Sequence, residues 1–561
     1  MNPGIQFIKF DNLSNFIGIF IFFFFLIVFF YSLGYMKQRK GLSLYYLYIF
    51  LTLISSLGAV FSNNLILFIV FWGFLGFLLY LLIEFNQTES ASYTAKKTFI
   101  IIGGTDALML FGLAIVWYLT GSLQMDEISI TLDTKIGILA YICLAVGAFA
   151  KAGAMPFHTW IPDTATDAPI PVTAFLPASL DKLLGIYLLA RMSLSIFETN
   201  VFINTILMMV GSITIVAAVM MALIQHDFKR LLGYHAVSQV GYMVLGIGSG
   251  NPIGIAGGLF HMLNHAIYKS CLFLSGGAVE KEAGTADLQK LGGFAKNMPL
   301  TFISFLIASL AISGIPPLNG FASKWMIYQG LIETANTGNN LWILWLIAAM
   351  FGSALTLASF MKLIHSIFLG QSVNEQNLLK KEKKKAGGIL GRYRETDSFM
   401  LIPQIVLASL CVIFGVFAYQ IPLKMFVFPS LREEVVFHGL WNASFASLLI
   451  LVGIIIGIII YLWGTITKTR EVDTFIGGEI LKEQTDMRIS GTEFYNTIRN
   501  ISPLNTIYKL AEKKAFDIYD IGTFITLGFN KVLRYLHNGI LLTYLAWCCL
   551  AMIILFYILL R

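Results

Sequence analysis

An all-α membrane protein that crosses the bilayer about fourteen times is what this sequence predicts, on three observations. The first is composition. Of the 561 residues 57% are hydrophobic and 12% charged, and the mean hydropathy is +0.77, more apolar surface than soluble cores can hide from water. The second is that apolar runs of about twenty residues recur along nearly the whole chain, each long enough as a helix to span roughly 30 Å of hydrocarbon. The third is where the cations fall. Alternate loops carry Lys37/Arg39/Lys40, Lys96/Lys97, Lys229/Arg230, Lys281/Lys290/Lys296 and the run from Lys380 to Arg394, whereas the loops between them are neutral or acidic, as at Asp126, Glu127 and Asp133. The net charge of +7 therefore speaks for orientation in a membrane and not for nucleic acid. By the positive-inside rule both termini are expected on the non-cytoplasmic side of the cell membrane.

Taken in order, spans are expected near 13–34, 43–62, 65–85, 97–119, 134–157, 168–193, 201–225, 230–249, 254–279, 298–334, 340–368, 398–420, 440–464 and 538–560. No basic leader with a small-residue cleavage site stands before the first of these, so the chain is expected to insert as it stands, with 1–42 as its N-terminal span. Two spans carry proline at mid-membrane, at Ala154-Met155-Pro156 and at Gly314-Ile315-Pro316-Pro317. Each proline removes a helical N–H and frees a carbonyl that needs a partner inside the protein or in a wet cavity. Each break has a lysine close by, Lys151 and Lys324. A matched pair of broken helices with ionisable groups suggests two inverted five-helix repeats, 43–193 and 201–368. Residues 369–397 read as a basic cytoplasmic loop, 398–464 as two peripheral spans and 538–560 as a final span. Between the last two, 465–537 is polar, and Ile507, Leu510, Ala511, Lys514 and Ile518 approximate one helical face, either a helix along the membrane surface or part of a folded interfacial lobe. The five cysteines lie in apolar segments without metal or disulfide spacing, and no cofactor or redox centre is expected.

An ionisable side chain at a helix centre costs on the order of 3 kcal/mol unless paired or hydrated, so the few inside these spans need a reason. Lys151 ends the apolar run from Ile136 to Ala150, where low dielectric disfavours an ammonium and makes the group apt to pass a proton on; the alternative is an interface lysine that snorkels toward His158. His261, His265 and Lys269 are spaced four apart on one apolar helix, which puts all three on one stripe. That stripe reads as a ladder of proton carriers. Structural histidines and a metal pair are the alternatives, the latter without a carboxylate or cysteine nearby in sequence. Asp181, Lys182 and Asp106 complete the buried set, and an internal Asp–Lys neighbourhood is also compatible with a structural role.

Four stretches are similar to signatures of the antiporter-like membrane subunits of respiratory complex I and of their hydrogenase and Mrp-antiporter relatives: Phe157 to Asp163 (FHTWIPD), Gly233 to Tyr242 (GYHAVSQVGY), Phe260 to Lys269 (FHMLNHAIYK) and Gly314 to Lys324 (GIPPLNGFASK). The resemblance runs from about Phe10 to Gly370, and the polar stretch with its final span resembles the distal, largest subunit of that family or its hydrogenase-type relatives. It implies a fourteen-helix core with two half-channels, other membrane subunits as partners, and protons, with sodium as the alternative, as the ions moved. By position Lys151 resembles the proton-accepting lysine of the first half-channel, His261 and His265 the middle of the relay, and Lys324 the lysine of the second.

Three departures accompany the resemblance. The family follows its tryptophan with a glutamate that pairs with the first lysine, whereas here Trp72 is followed by Gly73. Glu84 lies on nearly the same helix face but about 16 Å along the axis, and Asp106 and Asp181 are the other candidate acids. Pro177 stands where relatives carry a relay histidine, with Asp181 and Lys182 following. The chain also begins where relatives are at their third helix. The function expected is that of a proton-translocating subunit of a redox-driven complex, of the NADH dehydrogenase or membrane-bound hydrogenase type. An Mrp-type sodium/proton antiporter subunit and a structural subunit with an inactive channel are the alternatives.

Overall fold

Helices form where the chain is apolar and stop where a side chain or a glycine takes over the unpaired backbone groups at their ends. The computed structural model describes residues 6–370, 394–437, 443–463 and 495–560. Its first helices are α1 (Asn12–Tyr35), α2 (Leu42–Phe61), α3 (Leu65–Glu84), α4 (Glu89–Thr120), α5 (Lys135–Ala152) and α6 (Trp160–Asp167). Side-chain oxygens of Asp11, Asn64, Thr88 and Thr134 accept from the first free N–H groups of α1, α3, α4 and α5. Helices α7 (Ile170–Phe175) and α8 (Asp181–Arg191) make one span, because Leu176–Leu180 between them forms a π-helical turn that accommodates Pro177. Then follow α9 (Val201–Leu223), α10 (Phe228–Gly248), α11 (Pro252–Ala283), α12 (Pro299–Ser313), α13 (Asn319–Glu333), α14 (Trp342–Ile364), α15 (Ser398–Val416) and α16 (Ala443–Trp463).

Among the described residues, ten helical segments are long and apolar enough to cross a membrane, and the chain is a multi-pass, all-α membrane protein. The other expected crossings coincide with α10, α11, the pair α12 and α13, and α16. Helices α10 and α11 fall outside the ten because Gly, Ser, His, Asn and Lys take positions where lipid-facing helices carry Leu and Ile. They need no lipid-compatible surface, since every residue of α10 from His235 to Gly248 and of α11 from Ile253 to Val279 is buried. A two-residue parallel pairing of Ile130–Thr131 with Phe197–Glu198 ties the loop before α5 to the end of the α7–α8 span.

Both expected breaks are present, and both use the same device. Helix α5 ends at Gly153 (φ 85°) and α12 at Gly314 (φ 83°), left-handed positions that a side chain would strain. A cis peptide follows each, Met155-Pro156 and Pro316-Pro317. Counting alternate crossings, α5 descends from the face opposite the basic loops to mid-membrane, and α12 descends from the basic face. The two breaks are therefore inverted with respect to each other.

Two local expectations are corrected. Lys96 and Lys97 lie inside α4, not in a loop, since α4 already begins at Glu89. The single helical face drawn through Ile507 and Ile518 is broken at Lys514, whose φ is 60°, into helices Ser502–Glu512 and Ile518–Leu536. These two and Leu541–Leu559 belong to a second compact unit that starts at Ile501. The run from Lys380 to Lys385 and residues 465–494 lie outside the described residues.

Candidate functional site

The ionisable residues of the breaks meet in the interior, and the local packing explains how. Gly185 on α8 has no room for a side chain, because a Cβ there would lie 2.6 Å from Ala152 N, so α8 seats directly against the end of α5. That approach brings Asp181 Oδ1 to 3.7 Å from Lys151 Nζ, and the two residues are 0% and 1% exposed. Lys151 also faces the Trp72 ring at 5.5 Å. The Trp72 indole in turn donates to Asp106 Oδ1 at 2.9 Å, and Lys151 acts electrostatically on Asp106. Lys151 therefore has two acids near it, Asp181 on α8 and Asp106 bonded to the indole N–H of the tryptophan it faces. Gly73 takes no part in this, since a Cβ there would meet nothing within 4 Å. Glu84 does not either; it accepts from Ser92 Oγ at 2.6 Å near the end of α3.

From Asp181 the polar groups continue. Lys182 is fully buried against the first break, its Nζ 3.5 Å from where a Gly153 Cβ would stand and 5.8 Å from the Trp160 ring. Lys182, Lys269 and His261 are the charged or titratable groups that act on His265. Among the described residues, neither ring nitrogen of His265 has a hydrogen-bond partner in the protein. His261 is held on both sides, Nδ1 with Ser323 Oγ at 2.9 Å and Nε2 with Gln239 Oε1 at 3.1 Å, and Tyr268 Oη lies 3.4 Å from both Nε2 and Gln239. Lys324 acts on His261 and closes the row. Its Nζ donates to Ile312 O at 2.9 Å and lies 4.7 Å from the Tyr242 ring. Ile312 O is the carbonyl that Pro316, lacking an N–H, leaves without a helical donor, so the ammonium caps the break it sits in.

The structure thus places Lys151, Asp181, Lys182, His261, His265, Lys269 and Lys324 in the buried interior and Asp106 at its edge, and leaves Glu84 apart. Sequence reasoning passed over Gln239, Ser323 and Tyr268, which orient His261, and over His235, whose Nε2 meets Ser359 Oγ at 2.8 Å. A signal existed for two of them: His235 and Gln239 are four apart, a polar stripe on α10 of the same kind as that on α11. It also missed Lys97, 1% exposed, which pairs with Asp163 at 2.8 Å, the same carboxylate that Arg230 reaches at 3.3 Å. That three-helix clamp closes the basic face beside α6.

The family described as NADH:quinone oxidoreductase/Mrp antiporter, transmembrane, matches residues 62–356, a stretch that contains every member of the row. The chain belongs to that family. Similar curated proteins include the Na(+)/H(+) antiporter subunit A1 of Staphylococcus haemolyticus, 34% identical over 466 residues, which is 77% of this chain and 56% of that protein. The subunit A1 of Staphylococcus aureus (strain MRSA252) is 32% identical over 469 residues, with the same coverage. The chain spans about half the length of these relatives. Among solved structures, a chain of the membrane-bound sulfane sulfur reductase, an archaeal respiratory membrane complex, superposes with a TM-score of 0.78 at 23% identity, covering 98% of this chain and 89% of that one. A chain of the Mrp complex from Dietzia sp. DQ12-45-1b gives 0.68 at 22%, covering 77% and 85%. At such identities these two likenesses bear on the fold alone.

Proposed function

We propose that the chain is a proton-translocating, antiporter-like subunit of a multisubunit membrane complex, with protons handed along Lys151, Asp181, Lys182, His265, Lys269, His261 and Lys324. The observation that carries this reading is the buried row itself. Each member would cost several kcal/mol of desolvation if it had no work to do, and the row joins the two helix breaks. Asp106 and Asp181 supply Lys151 with the counter-charge whose approach or withdrawal would drive its proton on, the role for which Gly73 leaves no side chain. That favours a working first half-channel over an inactive scaffold. The complex is expected to be redox-driven, of the NADH dehydrogenase or hydrogenase type, with electrons carried by other subunits and both termini of this chain on the non-cytoplasmic side.

A second reading, sodium/proton exchange without electron transfer, is favoured by the names of the staphylococcal relatives. The assembled complex in sealed vesicles separates the two. A pH gradient that forms on electron-donor addition in sodium-free medium supports the first, and a gradient that collapses only on sodium addition, with no donor, supports the second. Wild-type flux through Lys151→Ala under both conditions would remove the row from either mechanism.

A further inference from the structure

A second set of buried polar groups meets the row at its middle, and the proposed function leaves it unused. On α10, His235 is fully buried and its Nε2 bonds Ser359 Oγ of α14 at 2.8 Å. Among the described residues its Nδ1 has no hydrogen-bond partner, and the charged groups that act on the ring are Lys269, Lys324 and Lys362. The register of α10 against α11 shows which of these lies level with it. Phe228 packs on Gly276 at the basic end of the pair, and Gly246 packs on Gly258 nearer the other. The helices are antiparallel and keep one register between those contacts, which sets His235 opposite Lys269. One ring separates them: Phe360 lies 4.9 Å from the His235 ring and 5.6 Å from Lys269 Nζ.

Beyond Ser359 the polar groups lead outward along α14. Lys362 is one turn nearer the basic face, 1% exposed, and its Nζ donates to Leu223 O and Gln225 O at 2.8 Å each, at the end of α9 where the chain turns into the loop before Lys229 and Arg230. Those carbonyls need a donor, so Lys362 has a capping role whatever else it does. Capping alone does not account for the other half of the chain of contacts. A histidine whose one nitrogen bonds a hydroxyl and whose other is free, between a surface-side lysine and a mid-membrane lysine, has both an inlet and an outlet for a proton.

We infer that His235, Ser359 and Lys362 form a side branch that connects Lys269 to the basic face, a proton access path to the second repeat separate from the Lys151 site. In this branch a proton leaves the Lys362 ammonium through a bridging water for the Ser359 hydroxyl, which gives its own proton to His235 Nε2. The ring, now carrying protons on both nitrogens, releases the one on Nδ1 to a water beside Phe360, which passes a proton to Lys269 when that amine is unprotonated. Lys362 is reloaded from solution, and Lys269 is emptied into the row toward His265 and His261. The inference rests on the proposed row being a proton path, and the test keeps the two apart.

Flux would be measured in vesicles containing the assembled complex, with Lys151→Ala as the reference for the row itself. His235→Gln keeps a side-chain group able to bond Ser359 but not a titratable one. Lys362→Arg keeps the charge and the donors to Leu223 and Gln225 but does not release a proton. Each is expected to lower flux at least tenfold in complexes that assemble at wild-type yield, and Ser359→Ala, which disturbs packing least, at least fivefold. Wild-type flux in Ser359→Ala together with either of the other two, while Lys151→Ala is dead, would overturn the branch and leave the row standing. If His235→Gln or Lys362→Arg does not assemble, Ser359→Ala alone decides: loss supports the branch, and wild-type flux refutes it.

Discussion

The two helix breaks are built alike in backbone and differently in charge. Each ends a half-helix on a left-handed glycine and turns on proline, and each holds a buried lysine. At the first, the Lys151 ammonium lies 3.7 Å from Asp181 and over the face of Trp72, whose indole N–H holds a second carboxylate, Asp106. At the second, among the described residues, no carboxylate pairs with Lys324; its partners are the Ile312 carbonyl and the Tyr242 face. A carboxylate is a full charge that a proton can cancel, whereas a carbonyl is a fixed dipole that a lysine caps whether or not its neighbours titrate. Duplicated backbone therefore does not bring duplicated electrostatics. The first break holds its lysine by a charge that protonation would remove, and the second by a dipole that it would not.

That contrast can be broken most forcefully at Lys151. Lys151→Met leaves Asp181 with Lys182 as the cation that acts on it and removes its ion-pair partner, and a buried ion pair that loses one member costs on the order of 3–5 kcal/mol. Flux is expected to vanish and the thermal midpoint of the assembled complex to fall clearly; an unchanged midpoint would mean that the pair contributes nothing to the fold. Next comes Asp181→Asn, which keeps the volume and removes the charge. A loss of about tenfold in flux is expected, with Asp106→Asn costing less and the double variant more than either. If Asp106→Asn proves the more damaging single change, the counter-charge role passes to the acid behind Trp72.

Lys324→Met sharpens the comparison from the other side. It leaves the Ile312 carbonyl buried and unpaired at a cost of about 1–3 kcal/mol, so the thermal midpoint should drop by less than in Lys151→Met although flux is lost as fully. Equal drops would argue that an unseen charge stabilises the second break as well. The smallest effect is expected at an ion pair outside the row. Asp11 caps α1 and is bonded by Arg191 and Ser14; burial pushes its carboxyl up, and these partners outweigh that and hold it at about 2. A carboxyl held low stabilises the fold above its unfolded value near 4, and that contribution fades as pH falls from there toward 2. Because the pair is partly solvated, its worth is at most about 1 kcal/mol. Asp11→Asn should therefore lower the midpoint slightly at pH 7, with the difference from wild type shrinking below pH 4 in melts followed by circular dichroism.

Much of this was legible in one dimension. Hydrophobic run length located the spans, because a bilayer imposes one thickness on every helix that crosses it. Proline and glycine marked both breaks, and the spacing of His261, His265 and Lys269 put them on one face, since these follow from backbone geometry along a single helix. Helix periodicity is silent about the facing helix. Which of Glu84, Asp106 and Asp181 lies near Lys151 was open until α4 placed Asp106 on the Trp72 indole and Gly185 let α8 bring Asp181 to Lys151. His235 read as one residue of a family segment until the α10–α11 register set it level with Lys269. The basic pair at Lys96 and Lys97 read as a loop because charge argues against a span, yet Asp163, 66 residues away in sequence, gives Lys97 the partner that lets it be buried. The sequence alone determined that Lys151, Asp181, Lys182, His261, His265, Lys269 and Lys324 are carried into the membrane, because each lies in a stretch too apolar to leave the bilayer. Only the tertiary structure decided which groups share a charge, because electrostatic pairing depends on distances of a few ångströms between helices that are far apart along the chain.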